Sequence, residues 1–223
     1  MQFLRPWIPL HKLNIHGLAL NPTAFRLLTW SEICWKQLSQ NSGAIKLLEA
    51  KPEKINWTYL SINPAANHIL IQNQDNIDWT KLSNNPSATY LLMMNMDKLN
   101  WNSLPSNPGA IQILEQNQDK IINWSWLSKN PKAMHLVMAK MDKINWHYLS
   151  ENPSAIDILI DNQNKISWSY LSRNPAAMSL LEANPDDICW DNLSLNPSAM
   201  HLLEANPDKI NLNNISYNSA ILY

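Results

Sequence analysis

The chain is 223 residues long and 45% hydrophobic, with a formal net charge of −1. That apolar content is ample for a core and excludes a disordered chain. The near-zero charge, without any strongly basic stretch, argues against a sequence-independent nucleic-acid binder, which needs a phosphate-neutralising surface.

The first 17 residues, "MQFLRPWIPLHKLNIHG", match nothing downstream. Pro6 and Pro9 make them irregular. Phe3, Leu4, Trp7, Ile8 and Leu10 could fold over whatever follows, so residues 1–17 are expected to cap the N-terminal end. No apolar run approaches a membrane span, and the start lacks a signal peptide's long apolar stretch, which suggests an intracellular chain.

From residue 18 to 223 a single pattern repeats. A tryptophan recurs at Trp35, Trp57, Trp79, Trp101, Trp124, Trp146, Trp168 and Trp190, in steps of 22 residues with one step of 23 at Ile122. Leu212 holds the same place once more. Leu38 to Leu193, then Ile215, follow three residues later, and Asn41 to Asn218 three after that. A fixed period of this length marks a repeat architecture. Cys34 and Cys189 lie seven repeats apart, too far to pair in an extended array, which suits a reduced compartment.

Each copy reads as two helices. Asn56, Asp78, Asn100, Asn123, Asn145 and Ser167 precede the tryptophan as N-caps. A short helix then carries Trp and Leu on one face. Asn63 and its equivalents are second N-caps, followed by proline at the first helical position. The second helix runs nine or ten residues with a wide apolar stripe, as in Ala199, Met200, Leu202 and Leu203. Asn206 suits a left-handed C-cap, and Pro207 stops the helix. Neither helix could bury its apolar face without neighbours. The fold class is therefore all-α: an α-solenoid of about eight to nine 22-residue two-helix repeats with a divergent N-terminal cap. A leucine-rich repeat is disfavoured by the proline after the asparagine and by the helical period.

A catalytic constellation occupies one place, whereas every polar residue here is either repeated or variable. No catalytic residue, metal ligand or cofactor is assigned, and three glycines form no phosphate-cradling loop. His68, His135 and His201 stand three repeats apart, too distant to share a metal. The tryptophans read as core.

The variable positions are the candidates for recognition. Tyr59, Lys81, Trp126, Tyr148 and Tyr170 lie two residues after a tryptophan; Tyr90 and His135 lie on the second helix. Aromatic and polar residues on an extended face resemble interface composition. The same aromatics could instead cover the seams between repeats. At the far end, Ile215, Ala220, Ile221 and Leu222 keep the core phase with no polar cap after them, and Ile215, Tyr217, Ile221, Leu222 and Tyr223 are assigned to a docking end. That predicts an open apolar face that pairs with a second copy or docks on another protein.

The unit "LSLNPSAMHLLEANPDKIN", Leu193 to Asn211, resembles the tandem NPxAIxLLExNPDKIxW repeats of uncharacterised proteins from giant DNA viruses that infect amoebae or algae. The resemblance covers about residues 18–223 and implies an α-solenoid from such a virus, in the host cytoplasm or the virion. It implies no activity. Ser42, Lys51, the stretch Asn21–Trp35, Ile122 and the ending "NSAILY" depart from the pattern, where stacking is expected to be less regular. The functional expectation is a non-enzymatic scaffold holding a protein partner along its variable surface. The alternatives are a single-stranded nucleic-acid reader with one base per repeat, disfavoured by the charge, and an assembly component acting through its C-terminal end. A membrane partner is not expected.

Overall fold

The computed structural model describes residues 3–29 and 33–222. The chain is an all-helical array of short elements with no β-strand among the described residues. Ten units follow one another, beginning at Asn14, Cys34, Asn56, Asp78, Asn100, Asn123, Asn145, Ser167, Cys189 and Asn211, and are numbered 1–10 below.

The ninth unit shows the plan. Its first helix spans Trp190–Leu193, and its second begins as a 3-10 turn, Pro197–Ala199, and continues as Met200–Ala205. A third element, the 3-10 turn Pro207–Lys209, leads into the next unit. The first N-caps work as expected at Asn56, Asp78, Asn123 and Asn145, whose side-chain oxygens accept the backbone N–H three residues on at 3.0–3.2 Å. Ser167 makes no such bond.

The expected left-handed C-cap is not formed. Asn206 has φ −134° and ψ 63°, and no described residue has positive φ. Its side-chain amide instead donates to the Leu202 carbonyl at 2.9 Å, which satisfies an orphan helix carbonyl without a left-handed turn. Asn73, Asn95, Asn117, Asn162 and Asn184 do the same.

Two residues tie each unit to its neighbour. The Asn63 side-chain oxygen accepts from Ala65 N–H at 3.0 Å, while its amide donates to the Ser39 and Asn41 carbonyls of the preceding unit at 2.9 and 3.0 Å. One buried side chain thereby caps its own helix and spends both amide protons on the unit before it. No other residue type of that size offers this combination. Ser39 supplies the second tie: its hydroxyl donates to Trp35 C=O at 2.7 Å and accepts from Asn56 N–H at 2.9 Å. Ser61, Ser83, Ser128, Ser150, Ser172 and Ser194 repeat this. Between these ties lies a continuous core of fully buried leucines, among them Leu60, Leu82, Leu127 and Leu149. The tryptophans pack against it half-buried rather than inside it. Five carry the Lys of their own third element over the ring, as Lys98 does over Trp79 at 4.5 Å.

The array does not run open. Asn14 N–H donates to the Ser216 hydroxyl at 2.7 Å, and the Asn21 amide donates to the Ser216 and Asn218 carbonyls at 3.3 and 2.8 Å. The asparagine bonds are those that join every other pair of neighbours, and the serine bond is that of all but two pairs, where Ala19 and Pro105 replace the serine; here they link unit 1 to unit 10. The ladder of ten asparagines therefore closes, and the chain is a ring.

The N-terminal segment completes the junction. Leu4 pairs antiparallel with Leu222, Arg5 N–H donates to Ile221 C=O at 3.0 Å, and Arg5 Nε donates to Ala220 C=O at 2.9 Å. The turn Leu10–Lys12 then leads into Asn14 as Pro52–Lys54 leads into Asn56. Residues 3–13 thus bridge the first and last units instead of capping the first. The open C-terminal face expected from the sequence is absent: Ile215 and Ile221 are fully buried and Leu222 is half-buried. An apolar half-unit finds its cover 200 residues away in the same chain, which removes the need for a second copy. Closure also brings Cys34 and Cys189, both free thiols, into units separated by only two others along the short arc.

The extra residue at Ile122 leaves the ladder intact. Ile122 is pushed outward, 68% exposed, and Asn130 still donates to the Pro105 and Asn107 carbonyls. Pro105 stands in the serine position of that unit, and its first helix is replaced by the 3-10 turn Leu104–Ser106.

Candidate functional site

The most extensive contacts between neighbouring units are between first helices, such as Trp35–Gln40 with Trp57–Leu60 and Trp124–Lys129 with Trp146–Ser150. In a closed ring the most tightly spaced layer is the inner one. Second helices and 3-10 turns fill the wider outer circumference. Trp and Leu of each first helix point outward into the core, so the residues one, two and five after the tryptophan position face the ring interior.

Packed helices stand ~8–10 Å apart, so ten units place the first-helix axes ~13–16 Å from the centre. Subtracting a helix radius of ~5–6 Å leaves an opening about 15–20 Å across.

One arc of this wall is aromatic. The Trp126 and Tyr148 ring centroids are 5.3 Å apart, Tyr148 and Tyr170 are 5.6 Å apart, and His147 lies 5.8 Å from Tyr170. Three consecutive units thereby present a ladder of tilted and edge-to-face rings, with Trp126 exposed and both tyrosines half-buried by their neighbours. Beside it Glu151 accepts from Lys129 at 3.0 Å and faces Arg173 at 3.9 Å. The rest of the wall is polar: Asn192 donates to Ser169, and Asn214 to the Asp191 carbonyl. Lys36 sits 5.0 Å from the Tyr59 ring.

The seven candidate recognition residues fall on two surfaces. Tyr59, Lys81, Trp126, Tyr148 and Tyr170 share the inner wall. Tyr90 and His135 lie on second helices at the outside. Tyr90 is 66% exposed beside Met94, and His135 bridges Glu115 of the unit before it at 2.8 Å. His68 and His201 pair likewise with Glu49 and Glu182. These histidines are outer staples between units. Of the five residues assigned to a docking end, Tyr223 lies outside the described residues, and Tyr217 is 40% exposed beside Gly17 of unit 1.

Sequence reasoning assigned no role to the repeated serine, to Lys129, Glu151 and Arg173, or to the lysine over the tryptophan. A signal was present for each: the serine follows the leucine position in all units except those with Ala19 and Pro105, the lysine stands 19 residues after its tryptophan, and the ion pair sits at one phase of three successive copies.

Chemistry is sparse elsewhere. No group of three or more His, Cys, Asp or Glu among the described residues could hold a metal. A cleft of about 270 Å³ beside the junction is lined by Leu10, Leu13, Ile15, Leu18, Leu27 and Leu28, with His11 as its one titratable side chain. No helix among the described residues is long and apolar enough to cross a membrane. No family model, no curated protein and no solved structure matches the chain.

Proposed function

We propose that the protein is a non-enzymatic ring scaffold that binds a protein partner on its inner wall, anchored by Trp126, Tyr148 and Tyr170. The observation that carries this reading is the confinement of ring-to-ring aromatic contacts to three consecutive units. Core packing does not require them, since Gln37, Lys81, Ser103 and Asn192 hold the same place elsewhere. Rigid aromatic anchors ringed by hydrogen-bonding and ionic groups are the composition of binding hot spots. A single-stranded nucleic-acid reader is the weaker reading. The inner cations Lys36 and Lys81 stand at different levels of the wall, and Lys129 and Arg173, which share a third level, are both engaged by Glu151, so no continuous cationic stripe tracks a backbone. The repeat signature supports an origin in a giant DNA virus of amoebae or algae, with the partner met in host cytoplasm or virion.

The test is a comparison of variants in a partner screen. Changing Trp126, Tyr148 and Tyr170 together to Ser should abolish capture of a partner that the wild type retains, while Tyr90→Ser with His135→Ser on the outer face should not. The opposite pattern would move the site outside.

A further inference from the structure

The charge of the inner wall differs in sign from that of the outside. The thirty residues one, two and five after each tryptophan position include four cations, Lys36, Lys81, Lys129 and Arg173, and two anions, Glu151 and Asp191. The whole chain has 17 Lys and Arg against 18 Asp and Glu, so 13 cations and 16 anions remain elsewhere. The wall is +2 within a shell of −3. Both inner anions are already engaged: Glu151 by Lys129 and Arg173, and Asp191 by the Asn211 amide at 2.8 Å. No carboxylate pairs with Lys36 or Lys81 among the described residues.

These features are also segregated around the ring. With ten units, unit 7 faces unit 2 and unit 9 faces unit 4. The aromatic arc of units 6–8 therefore looks across the opening toward units 1–3 and Lys36, while Lys81, on unit 4, stands beside that opposite arc. An α-helix with its side chains is about 10–12 Å wide and enters an opening of about 15–20 Å, which a folded domain cannot. A helix lying there would meet apolar anchors on one side, Lys36 opposite them and Lys81 on the flank between, neither lysine paired with a carboxylate among the described residues.

From this geometry we infer that the partner enters the ring as a single acidic amphipathic helix, its apolar face on Trp126, Tyr148 and Tyr170 and its carboxylates toward Lys36 and Lys81. The inference rests on the proposed inner-wall site and adds the class of partner. Recognition of this kind reads apolar anchors at i, i+3, i+4 and i+7. The two lysines would steer an acidic segment inward, with a rate that falls as salt rises.

A random 16-residue peptide library displayed on phage, selected against the full chain, tests it. Enriched sequences should carry Asp and Glu on one helical face and Leu, Phe or Met on the other. A synthetic copy should gain helical circular dichroism on binding. Lys36→Glu with Lys81→Glu should weaken that peptide at least tenfold without lowering the melting temperature, and the triple Ser variant should abolish binding. Enrichment of basic, neutral or proline-rich sequences, no enrichment at all, or tighter binding of a single-stranded dT20 oligonucleotide would each overturn the inference. Loss of binding in the Ser variant with no effect of charge reversal overturns the inference and leaves the proposed site standing. No effect of either variant overturns both.

Discussion

The interface between units 7 and 8 and the junction between units 10 and 1 are built from the same bonds. In the first, Asn174 donates to the Ser150 and Asn152 carbonyls, and the Ser150 hydroxyl accepts from Ser167 N–H. In the second, Asn21 and Ser216 play those parts across 195 to 202 residues of sequence. Two things differ. The regular interface is continued by the peptide chain, whereas the junction has only Leu4, Arg5 and their bonds to residues 220–222. The regular interface also carries an inner side chain, Tyr148 or Tyr170, where the junction has Gly17. A Cβ on Gly17 would stand 2.7 Å from Ser216 Cβ and 3.1 Å from the Tyr217 ring. Unit 1 is thus seated more closely on unit 10 than a side chain would permit. Identical bonds therefore hold unequally, because chain continuity keeps neighbours together everywhere except at the junction. Opening should start there.

The largest expected effect comes from the ladder. Asn152→Ala removes a cap and leaves two buried carbonyls without donors, each worth ~1–3 kcal/mol, so unfolding stability should fall by about 3–5 kcal/mol. Asn21→Ala deletes the equivalent bonds at the junction. It should open the ring at nearly full helix content, seen as a larger hydrodynamic radius with little change in circular dichroism. Equal responses would erase the distinction between the two interfaces.

Trp101→Ala comes next. Full truncation of a core aromatic costs ~3–5 kcal/mol. Trp101 is half-buried under Lys120, so about 2–3 kcal/mol is expected by urea titration. Changing Tyr148 and Tyr170 to Ser breaks stacking worth ~0.5–1.5 kcal/mol per pair, and should lower stability by about 1–2 kcal/mol. A loss as large as that from Asn152→Ala would make these rings seam residues. The smallest effect is Lys98→Ala, which removes an exposed cation–π contact of ~0.5–1 kcal/mol and should shift the melting temperature by only a few degrees.

Local physics was legible in the sequence and distant pairing was not. The caps, the proline after the asparagine and the Trp–Leu face all follow from short-range rules; the structure forms the Trp–Leu face and most of the first N-caps, Ser167 excepted, and the proline opens a 3-10 turn at Pro108, Pro153 and Pro197. The left-handed cap at Asn206 failed because an asparagine has two ways to satisfy a helix end, and here the side-chain amide reaches Leu202. The asparagine ladder was half legible: the capping oxygen is local, but the two carbonyls its amide serves belong to another unit. Ring closure was illegible for the same reason, since nothing local links Asn14 to Ser216. One trace was present. Lys12-Leu13-Asn14 repeats the Lys54-Ile55-Asn56 ending of a regular unit, so the segment set aside as divergent already carried the turn that enters unit 1. On the inner wall, the aromatic residues could be picked out by type. Their separation from Tyr90 and His135 required knowing which helices face inward.

Closure itself can be tested by a disulfide trap. With Cys34 and Cys189 changed to Ser, cysteines placed at Leu4 and Leu222 would occupy an antiparallel bridge pair. Such pairs have Cα atoms ~4.5–5.5 Å apart, within the span of a disulfide. Mild oxidation of the dilute protein should yield an internally bridged monomer of faster mobility on a non-reducing gel, in nearly full yield and with native circular dichroism. An open array would hold the two cysteines tens of ångströms apart, so persistence of the free thiols, or bridging only between molecules, would contradict the ring.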